Sequence, residues 1–298
     1  MTGPKDLDQF VNDRKMVARP ATVIVVEPQR GLMKIGFEEI FDFRELLFFL
    51  VWRDIKVRYK QTIIGVSWAI LQPLLTMVVF TAVFGRLADL QGSGVPYAVF
   101  SLAGILPWTF FAQGFGQSSN SLVGSSHLIT KVYFPRILIP TAAVLAGLVD
   151  LTISFLVLVG ILAIFNIQLT LNALWLPVIL VFIFVTTLAA GTWLSALNVR
   201  YRDVRYIVPF VVQIGMFVSP VIYSAQAMTA KLEAVGIPGW VYGLNPMVGV
   251  IESFRWTVLG AGEFPGSLVA VGGVVSLLGF FLGLVYFRQM ERSFADVV

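Results

Sequence analysis

Long apolar stretches, separated by short polar segments, dominate the chain from residue 63 onwards. A helix needs about 20 consecutive, mostly apolar residues to cross the hydrocarbon core of a bilayer. The pattern therefore predicts six membrane-spanning helices, at residues 63–85, 97–119, 137–165, 173–197, 206–223 and 267–287. The fifth stretch carries Pro209 and Pro220, and we expect a kink or a break in it.

Residues 37–60, ahead of the first apolar stretch, have apolar residues at helical spacing, among them Phe43, Leu47 and Leu50. Charged residues take other positions, and the apolar run is too short to span. The pattern predicts an amphipathic helix, assigned to residues 37–62, that lies flat on the cytoplasmic interface.

Residues 121–134 form a short polar stretch between the second and third apolar stretches. Ser125 or Ser126 is a suitable helix cap, and Pro135 would end the helix. A short helix here suits contact with a cytoplasmic partner. A solvated connector without a partner would show the same charge and length.

The segment 224–266, after the fifth stretch, holds a second helix signal. Asn245 is a favourable cap, and Pro246 suits the first turn of a helix. The helix that follows is too short to cross a membrane and too apolar for water. We expect a short re-entrant helix in the outer leaflet, acting as a gate over an exit.

Composition supports an all-α membrane protein: 57% of the residues are hydrophobic and 13% are charged. A soluble domain carries about 25% charged residues. Most Lys and Arg lie in residues 1–60, in the loops between spans two and three and between spans four and five, and after the last span, including the tail 291–298. Of the 21 basic residues, only Arg86, Lys231 and Arg255 fall on the opposite side. Because basic residues mark cytoplasmic loops, we expect both termini to be cytoplasmic and 63–290 to form the transmembrane domain.

Catalytic and metal-binding signatures are missing from the sequence. There is no cysteine, His127 is the one histidine, and no G-x-x-x-x-G-K-[ST] loop occurs. We therefore expect no metal, no cofactor, no ATP hydrolysis on this chain and no nucleic-acid partner. Asp150 is the one acid well inside a span, so it faces a wet path or hydrogen-bonds between helices, and the sequence identifies no partner for it.

Two sets of side chains allow a structural and a functional interpretation. Arg53, Lys56, Arg58 and Lys60 precede the first span. They satisfy the positive-inside rule, which composition favours, or they capture the diphosphate headgroup of a lipid. The aromatic residues are interfacial anchors or sugar-stacking surfaces, and for any single ring the anchor is the commoner role. Those considered for a channel are Trp68, Trp108, Phe111, Phe115 and Tyr223.

Several motifs resemble the permease subunits of ABC-2-type polysaccharide exporters, which handle O-antigen, capsule and teichoic acid. They are WRDIKVRYKQTIIGVSWAILQP (52–73), KVYFPR (131–136), NVRYRDV (198–204), SPVIY (219–223) and LNPM (244–247). Their order and spacing match over about residues 40–290, and the O-antigen branch is the most similar.

The resemblance implies an inner-membrane homodimer bound to two copies of an ABC ATPase subunit, which would hold the ATP and Mg²⁺. The cargo would be a polysaccharide on a polyprenyl diphosphate, moved from the cytoplasmic side. The ATPases would dock on the interface helix and on the stretch 125–134, and the aromatic residues above would line the channel. The docking residues are Ser126, His127, Leu128, Lys131 and Arg136.

Three alternatives remain. An ABC-2 permease for a drug or lipid should lack the segment RDIKVRYKQT, which is present. A membrane-bound enzyme would need an acidic metal-binding cluster or a carboxylate pair, whereas acids such as Asp54 and Asp203 are scattered. An ATP-independent flippase for lipid-linked glycan would show inverted repeats or paired intramembrane ions, and neither is evident in the sequence.

Overall fold

A computed structural model describes residues 41–60, 67–87, 94–201, 203–260 and 262–297, with side chains as far as Glu291. This part of the chain is helical and contains no β-strand. The α-helices are α1 (Arg44–Lys60), α2 (Ser67–Phe80), α3 (Tyr97–Gly124), α4 (Ser126–Lys131), α5 (Leu138–Ile164), α6 (Leu176–Arg200), α7 (Val204–Val218), α8 (Ala225–Ala234), α9 (Pro246–Leu259) and α10 (Gly266–Val297). A π-helix, Thr81–Leu87, continues α2, and 3-10 helices precede α6 (Leu171–Trp175) and α9 (Gly239–Leu244). The predicted extension, residues 1–36, lies outside the described residues.

Within the described ranges, five helices are long and apolar enough to cross a membrane, which makes this a multi-pass membrane protein. They are Ser67–Leu87, Tyr97–Gly124, Leu138–Ile164, Leu171–Arg200 and Gly266–Glu291. Each coincides with one of the six predicted stretches.

Helix α7 occupies the remaining stretch and is shorter than predicted. It has 15 residues, or about 22 Å at 1.5 Å per residue, against about 30 Å of hydrocarbon. Pro209 lies inside the helix without ending it. The helix stops before Ser219 because a residue that precedes proline disfavours the helical conformation. The predicted break therefore falls at Pro220.

Helix α3 is the centre of the bundle and contacts α2, α5, α6, α7 and α9. Its first half is buried, with Val99, Leu102 and Leu106 in the main apolar core. It runs to Gly124, so the polar residues expected in a loop after residue 119 form its last turns.

An apolar cluster joins the helix ends at one end of the bundle, which we call the α1 end. It contains Leu50 of α1, Leu122 of α3, Leu138 of α5 and Phe287 of α10. The opposite end, which carries α8, is called the α8 end. Beyond the cluster, the predicted tail 291–298 continues α10 as a helix to Val297.

The interface helix α1 has apolar side chains on two sides, whereas its sequence predicted a single apolar stripe. Its Leu46, Leu47 and Leu50 pack on the α1-end cluster. Phe49 and Trp52, on another side of the helix, are exposed. Apolar side chains therefore cover two sides of its first half, one against the protein and one available to lipid.

Candidate functional site: the polar face of helix α3

A row of polar side chains follows one face of α3 inside the apolar bundle. Thr109, Gln113, Gln117 and Asn120 recur at spacings of four, four and three residues, which places them on one side of a helix. Gln117 and Asn120 are exposed, and Gln113 is partly exposed. This row is absent from the sequence-based site assignments. The sequence could have predicted it from the side-chain amides at helical spacing within a spanning helix, because polar side chains are costly in lipid.

Two clefts adjoin along this face. The first, of 590 Å³, lies between α1, α3 and α7, with Arg53 and Asp54 on one side and Arg205 on the other. The second, of 390 Å³, lies between the end of α1 and helices α2, α3 and α5. Gln113 and Gln117 line both clefts. We call the two clefts together the polar groove.

Asp150 of α5 anchors a hydrogen-bonded cluster in the second cleft. Arg58 donates hydrogen bonds to Asp150 Oδ2 and to Gln117 Oε1, and the Tyr59 hydroxyl donates to Asp150 Oδ1. The Arg58 and Asp150 side chains are 22% and 16% exposed. Burial, reinforced by Asp150, raises the pKa of the Tyr59 phenol above its usual value, so this group stays neutral. The partner that the sequence could not identify for Asp150 is therefore Arg58.

The four basic residues predicted to bind a lipid diphosphate have different surroundings. Arg53 pairs with the adjacent Asp54 at 2.8 Å, while Lys56 and Lys60 are exposed. Arg58 is engaged with Asp150 in the groove. A carboxylate beside two of the four cations lowers the attraction of this segment for a phosphate group.

The aromatic residues predicted to line one channel occupy three separate places. Trp108, Phe111 and Phe115 form a row, with successive ring centroids 5.5 Å apart. Helical spacing places this row opposite Gln113 and the rest of the polar row.

The aromatic row faces a third, mostly apolar cavity of 530 Å³. Helices α6, α7 and α10 form its other walls. Trp68 instead lines the polar groove, half exposed. Tyr223 lies between α7 and α8, where its hydroxyl contacts the Tyr242 hydroxyl at 2.9 Å.

Arg255 forms a buried polar cluster near the α8 end and is only 4% exposed. Its guanidinium donates to the carbonyls of Phe100, Val221 and Tyr223. It also lies 3.7 Å from the Phe100 ring centroid and pairs with Glu252 at 3.1 Å. The sequence analysis placed Arg255 in a short helix on the side opposite the cytoplasm, and the structure shows in addition that α9 buries this side chain in the bundle.

Glu252 extends this cluster to helix α8. Its carboxylate accepts a hydrogen bond from the backbone N–H of Ala225, the first residue of α8, at 2.7 Å. A carboxylate at a helix N-terminus is favourable because unpaired N–H groups and the helix dipole point towards it. Arg255 and Glu252 thus hold the segment 219–225 and the start of α8 in place.

Helix α9 begins as the sequence predicted but packs differently. Asn245 caps it by accepting from the Met247 N–H at 3.1 Å, and Pro246 is its first residue. Gly260 ends it in the left-handed conformation, at φ 63°. Val248, Val250 and Ile251 are fully buried. The helix contacts α3, α6 and α10, so it is packed into the bundle along most of its length.

The predicted docking segment contains the short helix α4. Ser125 is at its N-cap position without a capping hydrogen bond from the side chain, and the helix ends at Lys131, four residues before Pro135.

The five predicted docking residues separate into three groups. His127 and Lys131 are exposed and Ser126 is partly exposed, whereas Leu128 packs on the α1-end cluster and the Arg136 backbone N–H donates to Glu291. Tyr133, two residues after Lys131 in the sequence and not selected by the sequence analysis, is also exposed.

The helical bundle, with five helices that can span a membrane and a polar groove between them, defines a multi-pass membrane protein. A family model described as ABC-2 type transporter matches residues 45–259. The chain therefore belongs to the ABC-2 type transporter family.

Similar proteins include two O-antigen export system permease proteins and a polysialic acid transport protein. The chain is 25% identical over 268 residues to the O-antigen export system permease protein RfbA of Klebsiella pneumoniae, covering 89% of this chain and 98% of the relative. It is 28% identical over 217 residues to RfbA of Myxococcus xanthus, with coverage of 73% and 81%. It is 21% identical over 247 residues to the polysialic acid transport protein KpsM of Escherichia coli, with coverage of 82% and 93%.

Proposed function

We propose that this chain is the membrane subunit of an ATP-driven exporter that carries an O-antigen-like polysaccharide across the inner membrane. The observation that carries the proposal is the polar face of α3, which faces two adjoining clefts between the helices of a mostly apolar bundle. A hydrated glycan needs hydrogen-bonding groups along its path. Polar groups placed inside a membrane protein mark such paths.

Two copies of the chain, in this proposal, enclose the path between them. Each copy contributes its polar groove to the path. Helices α2 and α7 border the path, and their outer sides carry exposed apolar residues such as Leu75 and Phe210. Short α7 completes six spans. The α1 end is cytoplasmic, which agrees with the exposed Lys56, Lys60 and Lys131 there. Helices α8 and α9 form the outer gate, with Tyr223 at its inner edge.

The glycan carrier in this proposal is a polyprenyl diphosphate whose prenyl chain stays in the bilayer. Exposed Lys56 and Lys60 attract its diphosphate to the cytoplasmic surface. ATP and Mg²⁺ bind to a separate ATPase subunit, present in two copies, which docks on α4.

The proposal is tested by co-expressing the chain with its neighbouring genes, purifying it and identifying what co-purifies. A stoichiometric complex, with ATPase activity that depends on this chain and restored export in a strain that lacks it, would support the proposal. A stable chain that never acquires an ATPase would contradict the ATP-driven mechanism. An active complex that exports a drug or lipid but no polysaccharide would contradict the cargo.

Charge reversal at the exposed surface of α4 is expected to weaken binding of the ATPase subunit. His127→Asp combined with Lys131→Asp should reduce co-purification about tenfold, because an unfavourable charge at an interface costs about one kcal/mol or more. Lys131→Asp alone is compared with Lys231→Asp, the same change at an exposed site near the α8 end, as the matched control. Equal co-purification of both variants would place the docking surface elsewhere. Leu128 is unsuitable for this test because it packs on the α1-end cluster.

A further inference from the structure

The cleft between Trp68 and Asp150 carries no net charge of its own. It contains one cation, Arg58, and one anion, Asp150, which are paired. The neighbouring Tyr59 phenol is neutral, since burial raises its pKa. A diphosphate in this cleft would lie beside the Asp150 carboxylate, and that repulsion offsets the attraction of Arg58. The electrostatics therefore favour a neutral ligand.

Hydrogen-bonding capacity in the cleft exceeds what the protein uses. Among the described residues, none hydrogen-bonds to the side-chain amides of Gln72 and Gln113, which line the cleft. Gln117 accepts from Arg58 through its oxygen, so its nitrogen remains a donor. Each Asp150 oxygen receives one hydrogen bond and has a further lone pair. The cleft thus offers donors and acceptors to a polyhydroxyl ligand.

Trp68 supplies an apolar wall on one side of the same cleft. Its side chain is 50% exposed, and its helix is fixed close by, because Ser154 Oγ donates to the Ala69 carbonyl at 3.0 Å. The floor contains Pro73, Leu106 and Leu151. A sugar ring has apolar C–H faces and a polar edge of hydroxyl groups. The Trp68 ring suits the apolar faces, and the side-chain amides suit the hydroxyl groups.

We propose that this cleft, formed by Trp68, Gln72, Gln113, Gln117 and Asp150, binds a single neutral sugar ring of the transported glycan. Its volume of 390 Å³ falls within the range of small-molecule sites, about 300–1,000 Å³. Arg58 is a positioning residue, which pairs with Asp150 and orients Gln117. The inference rests on the proposed polysaccharide export, and it reassigns Arg58 from diphosphate capture to the support of a sugar site.

The test uses a single cysteine, since the natural chain has none. Gln72→Cys in the complex with the ATPase subunit is labelled with a water-soluble maleimide. Oligosaccharides released from the host's own surface polysaccharide should slow labelling. Inorganic pyrophosphate at the same concentration should not. Trp68→Leu in the same background should weaken the protection about tenfold, whereas Trp175→Leu, at an exposed tryptophan outside the cleft, should leave it unchanged.

Labelling that neither probe slows would overturn the sugar site, as would protection by pyrophosphate alone, which would mark an anion site. Equal protection in the Trp68→Leu and Trp175→Leu variants would show that Trp68 does not contribute to the sugar site. Export in a strain that lacks the chain is measured in parallel. Restored export without protection refutes the sugar site alone, whereas failure of the wild-type chain to restore export refutes the proposed function itself.

Discussion

Replacing Asp150 with leucine is expected to destabilise the folded protein by at most about 3–5 kcal/mol, the cost of removing one partner of a fully buried ion pair, because this pair is mostly but not fully buried. The Arg58 guanidinium, 22% exposed, would lose its carboxylate, and the Tyr59 hydroxyl would lose its acceptor. Thermal unfolding of the purified protein in one detergent measures the change. Arg58→Leu should have a similar effect, because it leaves the Asp150 carboxylate without its cation.

The double variant Arg58→Leu with Asp150→Leu separates stability from function. Replacing both members of a buried pair with apolar residues is often neutral or stabilising, so the double variant should unfold close to the wild-type temperature. Its export should nevertheless fall, because the groove loses its carboxylate acceptor. A double variant as unstable as the sum of the single variants would show that the pair does not interact in the folded protein.

Arg255→Met is expected to cost about 3–5 kcal/mol, as is typical of breaking a buried, hydrogen-bonded ion pair. The change removes donors from the carbonyls of Phe100 and Val221 and leaves Glu252 buried without its cation. Arg255→Lys should recover only part of the loss, because an ammonium cannot reproduce the planar fork of a guanidinium. The measurement is thermal unfolding, with Lys231→Met at an exposed site as the control.

A second readout locates the effect of Arg255. Arg255 and Glu252 hold the segment 219–225, so the Arg255→Met variant should become sensitive to protease in that segment before the rest of the chain unfolds. An Arg255→Met variant with wild-type unfolding and wild-type protease resistance would show that the cluster does not hold the segment.

The long helices follow directly from the sequence because crossing a bilayer demands a fixed length of apolar residues. Helix α9 was located for a similar reason, since the Asn245 cap and Pro246 act locally. The burial of α9 was not predictable in the same way. Arg255 becomes a core residue only because α9 packs on α3, α6 and α10, and no local pattern encodes that packing.

In the candidate site too, features encoded by neighbouring residues could be predicted from the sequence, whereas contacts between distant residues could not. Asp150 was identified as unusual because a charge inside a span is costly. Its partner Arg58 is 92 residues away in the sequence, and no spacing rule joins the two. Helical periodicity could have predicted the polar row on α3. Hydropathy averaged over the whole span conceals this row, because the apolar residues of the other faces dominate the average. The same periodicity separates Trp108, Phe111 and Phe115 from that row, whereas residue type alone grouped them with Trp68.

We propose that the glycan passes along the polar face of α3 and not along its aromatic face. The most direct measurement places a photo-crosslinking phenylalanine analogue at Asn120, on the polar face, or at Phe111, on the aromatic face, in cells that assemble the polysaccharide. After illumination, the Asn120 variant should carry a ladder of covalently attached glycan, and the Phe111 variant should not. Attachment at Phe111 with none at Asn120 would contradict the account and assign the path to the aromatic cavity.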